Sequence, residues 1–97
     1  MLESKRNELN APPISNEASA CEVLRVWAGS NQPQQVSLRT TWPDPAAWGL
    51  MLVDIARHAS KAYADGDAIR GQEVLARIKQ AFDAEWQAPT DEAEQIK

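Results

Sequence analysis

"TTWPDPAAWGLMLVDIARHASKAY", residues 40–63, decides how this chain folds. Trp42 and Asp44 each precede a proline, which pushes their backbones to extended geometry, so a strand ends here and a helix starts. Asp44 suits the N-cap position, its carboxylate accepting from first-turn amides, with Pro45 at the first helical position. From there Trp48, Met51, Leu52, Ile55, Ala59, Ala62 and Tyr63 recur at three- and four-residue steps and make one broad apolar stripe. Asp54, Arg57, Ser60 and Lys61 point elsewhere, and Gly66 ends the helix. Leu50 and Val53 break the pattern. In helical projection they sit roughly opposite the stripe, so a single packing partner cannot cover both sets. They are covered by the N-terminal arm, left exposed, or buried in a second interface.

Downstream, Asp67 reads as the cap of a second helix, with Gly71, Leu75, Ile78, Phe82 and Trp86 as its apolar line and Pro89 as its stop. Glu73, one turn before Arg77, makes a favourable pair on its outer face. Gly66 serves as a helix stop and Gly71 as a close packing point. Upstream, "CEVLRVWAG" and "QQVSLRTTW" are rich in branched and aromatic residues and flank the turn chemistry of "SNQP", so they read as a β-hairpin. Alternation puts Leu24, Val26 and Ala28 on one face of the first strand and Val36, Leu38 and Thr40 on one face of the second. The two sets share a face only when paired residue numbers have an even sum, which predicts Val26 opposite Val36 or Leu38. The other face carries Val23, Arg25 and Trp27 against Gln35, Ser37 and Arg39.

The expected architecture is α+β: a two-stranded antiparallel hairpin followed by two antiparallel helices, ββαα, with the helices covering one face of the strands. Residues 1–20 read as a flexible arm, 21–88 as the single domain and 89–97 as an acidic, fraying tail. A lone hairpin is marginal and its edges are open to pairing, and so small a core leaves little net stability. Completion by dimerisation is therefore expected, either by two hairpins joining into one sheet or by two first helices meeting.

The 97 residues, 43% apolar and 25% charged, describe an ordinary soluble domain. No apolar run is long enough to span a bilayer and no secretory signal stands at the N-terminus, so the expected compartment is the cytoplasm. The single Cys21 excludes an internal disulfide and, with no histidine near it in sequence, reads as a strand-start residue rather than a nucleophile. A net charge of -4 weighs against nucleic acid, although residues 22–42 hold Arg25 and Arg39 against Glu22 alone.

Chemistry is thin. His58 has Asp54 one turn before it and Lys61 nearly one turn after, the spacing a carboxylate-oriented base requires, but also one common on solvated helix surfaces. One histidine and one cysteine do not meet the ligand demand of a zinc site, so neither metal nor cofactor is expected. "YADGDAIRG" lacks the lysine and strand of a phosphate loop, and no nucleophile elbow is present. Of four tryptophans, Trp48 and Trp86 fall on core stripes and Trp42 plugs the strand end. Trp27 shares its face with Arg25 and Arg39, a setting for a cation and indole contact or for a partner.

"EVLRVW", "VSLRTTWPDPAAWGLMLVDIARHASKAY" and "LARIKQAFDAEWQAPTD" together resemble a small bacterial domain family of unknown function, over about residues 21–91. The resemblance implies one compact domain and carries over no activity, cofactor or catalytic residue. The residues favour a non-enzymatic interaction or self-associating module, a homodimer or a binder of another protein. Its contact surface would run through the hairpin edge, Arg25, Trp27, Arg39, Leu50 and Val53. The alternative is a small-ligand or minor catalytic domain in which Asp54, His58 and Lys61 line a pocket between protomers.

Overall fold

The computed structural model describes residues 7–90 and 93–96. Of the expected arm, residues 1–6, and of the expected tail, residues 91, 92 and 97, lie outside the described residues. After a short 3-10 turn at Pro13–Asn16 come β1 (Leu24–Trp27), β2 (Gln35–Leu38), α1 (Ala46–Ala64), α2 (Ala68–Gln87) and β3 (Glu94–Gln95). The α+β class and the element order stand. Cys21, exposed, lies ahead of β1 rather than within it.

β1 and β2 pair antiparallel, with Leu24 opposite Leu38 and Val26 opposite Val36, so every paired sum is even and the side-chain alternation fixes the register as expected. The strand count needs correcting. β3 runs parallel to β2, Glu94 N–H donating to Gln34 at 2.7 Å and Ile96 N–H to Val36 at 2.6 Å, so the sheet has three strands in the order β1-β2-β3. "AEQI" has no apolar alternation to announce a strand. Its pairing is made by backbone groups meeting the otherwise open edge of β2.

α1 starts one residue later than the proline spacing predicts. Pro45 occupies the cap position, and the Asp44 carboxylate accepts from Ala46 N–H at 3.0 Å. Asp65 (φ 52°) and Gly66 (φ 89°) turn left-handed and stop the helix. Asp67 then caps α2, accepting from Ile69 and Arg70 amides at 3.0 and 3.1 Å. At this turn the helices come closest: a Cβ built on Gly71 would lie 3.5 Å from the Ala64 methyl, ordinary contact distance. Ser60, its hydroxyl donating to Arg57 C=O at 2.8 Å, and Ala64 are buried here.

They are also the only buried residues among those described, Ala64 retaining 7% of its surface. The expectation that the helices cover the strands is overturned: no strand Cα lies within 8 Å of a helix Cα. The even-numbered face of the hairpin stays open, Val26 keeping 49% and Leu38 44% of their surface, while Arg25 and Trp27 on the other face are half-buried. The connector explains why. Arg39 N–H continues the ladder to Val23 C=O, Thr41 adopts φ 63°, and the Trp48 indole donates to Thr40 C=O at 3.1 Å while its ring meets Trp42 edge to face at 5.9 Å. A β-branched residue held left-handed just ahead of the tryptophan pair and the two prolines sets the sheet's direction away from its own helices. The radius of gyration is 15.9 Å, against about 12.5 Å for a compact chain of this length.

Candidate functional site

The helix pair closes at the Asp65–Gly66 turn and opens toward its other end. There α1 contributes Trp48, Gly49, Leu52 and Val53, and α2 contributes Leu75, Ile78, Phe82 and Trp86, to a groove of about 870 Å³. The sequence spacing builds it directly. Gly49, Val53, Ala56, Ser60 and Ala64 fall on one side of α1; near the turn Ala64 lies 3.5 Å from where a Gly71 Cβ would stand, whereas a Cβ on Gly49 at the other end would meet nothing within 4 Å. Phe82 and Trp86, one turn apart, stack at 5.7 Å with 21° between their planes. Trp86 leaves 73% of its surface open, which corrects its expected role as a core residue. Charge sits sparingly in the groove lining: Arg57, Lys79 and Asp83, the last two paired at 2.7 Å. Beyond α2, Thr90 donates from both its amide and its hydroxyl to the Glu85 carboxylate, at 2.6 and 3.0 Å, fastening the chain after Pro89.

The sequence-selected residues separate into three places. Val53 lies on the groove wall, on the side of α1 that faces α2, rather than opposite the main packing stripe. Leu50 flanks that wall and keeps 72% of its surface. Arg25, Trp27 and Arg39 stand at the sheet, Arg25 and Trp27 on the odd-numbered face opposite Ser37 and Gln35. Arg25 is held by Glu22 at 3.1 Å and by Glu8 at 2.7 Å, which tethers part of the expected arm to the strand. The Glu22 hydrogen bond and charge, then Glu8, raise the guanidinium pKa further above its ordinary value. Trp27 is half-buried and Arg39 exposed.

Asp54, His58 and Lys61 are exposed along α1. The groove lining includes none of them. No group of three or more potential metal-ligating side chains occurs among the described residues. What sequence reasoning missed is the destination of Leu75, Ile78, Phe82 and Trp86. Their periodicity identifies an apolar face but carries no information on whether that face meets its own chain.

No helix among the described residues is long and apolar enough to cross a membrane. The profile of a family described as Domain of unknown function (DUF5076) matches residues 8–90, starting inside the expected arm and taking in the Glu8 that pairs with Arg25. No curated protein matches the chain. A solved structure described as a "putative pyruvate dehydrogenase from the photosynthetic bacterium Rhodopseudomonas palustrus CGA009" is similar at 33% identity with a TM-score of 0.74, covering 99% of this chain and 98% of that one.

Proposed function

The chain belongs to the DUF5076 family, and on that footing we propose that it is a self-associating module that works by contact rather than catalysis. The observation that carries this reading is the open interhelical groove with Phe82 and Trp86 on its wall, in a chain whose only buried described residues are Ser60 and Ala64. Exposed apolar patches of this kind mark interfaces. Leu50 and Val53, both more than half exposed, extend the surface along α1. Arg25, Trp27 and Arg39 are reserved for contacts at the sheet. A cytoplasmic setting fits the single cysteine.

The label pyruvate dehydrogenase belongs to the structural neighbour. In this chain the groove is walled mainly by apolar side chains, its Lys79 is already engaged by Asp83 and Arg57 is its other cation, so it suits a protein face better than a small carboxylic acid. Sedimentation and light scattering across a wide dilution series test the reading. A dimer that persists to micromolar chain concentration is expected, whereas a monomer with a sharp, concentration-independent melt would refute it. Leu50→Asp, which sets a charge on the exposed flank of α1, is expected to dissociate or aggregate the protein. An unchanged mass and melting point in that variant would count against α1 as part of the contact.

A further inference from the structure

Two apolar surfaces of this chain lack cover and cannot reach one another. One is the even-numbered sheet face, where Val26 and Leu38 are exposed and Leu24 and Val36 half-buried. The other is the groove between α1 and α2. In most α+β domains such a sheet face and such a helix pair pack together within one chain. Here the connector prevents it: Thr41 at φ 63°, the Trp48-to-Thr40 hydrogen bond and the Trp42–Trp48 ring contact fix the sheet where no strand Cα comes within 8 Å of a helix.

Resting on the self-association reading, we infer that the occupant of the groove is the sheet of a second copy, so that two chains exchange hairpins about a twofold axis. Each β1–β2 face packs into the partner's α1–α2 groove. The exchange satisfies both surfaces at once with the side-chain set the sequence provides for an intramolecular core, which is the usual logic of swapped dimers. Two helix pairs meeting face to face would leave the sheets bare. Two hairpins joined edge to edge would leave both grooves empty. The areas agree. The chain exposes 8917 Å² where a compact chain of its mass exposes about 5,500 Å². That excess of roughly 3,400 Å² is larger than the roughly 800 Å² that each partner buries in a standard interface. The composition agrees too, since aliphatic strand residues would meet Phe82 and Trp86, the aromatic anchors favoured at interface centres.

Complementation tests the exchange on the full chain. Val26→Asp spoils the sheet face and Phe82→Arg spoils the groove, so in a swapped homodimer either variant breaks both junctions. Mixed, the two chains form a heterodimer with one wild-type junction and one in which Asp meets Arg. Each variant alone is expected to associate at least ~100-fold more weakly than wild type, and the equimolar mixture to recover a dimer within roughly tenfold. Variants that stay dimeric on their own, or a mixture that stays dissociated, would overturn the exchange while leaving self-association standing if the wild type is a dimer. A monomeric wild type would overturn both. Isotope-filtered NOEs in a dimer of labelled and unlabelled wild-type chains give a readout that needs no variant. Cross-chain contacts between Val26 or Leu38 methyls and the Phe82 or Trp86 rings support the exchange; cross-chain contacts confined to sheet-to-sheet or helix-to-helix pairs refute it.

Discussion

Gly66 and Gly71 stand five residues apart and ask opposite things of a side chain. Gly66 sits at φ 89°, a region L-residues rarely adopt, so Gly66→Ala is expected to destabilise the protein by about 1 kcal/mol. Gly71 is helical, and a methyl there would rest 3.5 Å from Ala64, so Gly71→Ala is expected to raise stability by about 0.5 to 1 kcal/mol through the helix propensity it restores. Chemical denaturation of the two variants beside wild type checks both signs. The Gly66 role is plain in the sequence, because a glycine before an aspartate cap marks a helix stop. Gly71 is legible only as a close contact, since spacing cannot say whether that contact has room for one more carbon. Trp86 marks the limit of such reading: its place on the apolar line is correct, and its 73% exposure follows from a neighbouring surface that this chain does not supply to itself.

Among the elements, the hairpin and both helices were readable because each is held by local signals. Pro43 and Pro45 set where α1 starts, the Asp67 carboxylate holds the first amides of α2, and the even sums of Leu24 with Leu38 and Val26 with Val36 fix the strand register. β3 was not readable. It is two residues long, polar, and held by the Glu94 and Ile96 amides donating to the Gln34 and Val36 carbonyls far back in the sequence. Removing residues 93–97 is expected to leave both helices in place while the amides of Val36 and its neighbours exchange faster, by roughly tenfold or more, as a three-stranded sheet becomes a marginal pair. Native-state hydrogen exchange resolves this residue by residue. Equal protection in the two proteins would mean that β3 contributes no stability to the sheet.

For the whole molecule, the decisive fact is how the two halves relate, and the sequence did not carry it. Periodicity supplied a sheet face and a helix groove of matching character, and the expected answer was that they pack together. Thr41 in a left-handed conformation and the Trp42–Trp48 pair direct them apart, and neither feature leaves a mark in apolar spacing. A chain whose principal apolar surfaces are covered only by association has a stability that depends on its own concentration. Its melting temperature is therefore expected to rise by several degrees for each tenfold increase in chain concentration, as calorimetry over two decades would register. A flat response would place the stabilising contacts inside one chain. The third strand bears on biosynthesis as well. β2 receives one neighbour, β1, from sequence just before it and the other, β3, from residues made after both helices. During translation one edge of β2 thus stays unpaired until residues 94–96 have left the ribosome, and in that interval neighbouring nascent chains on the same message can compete for it.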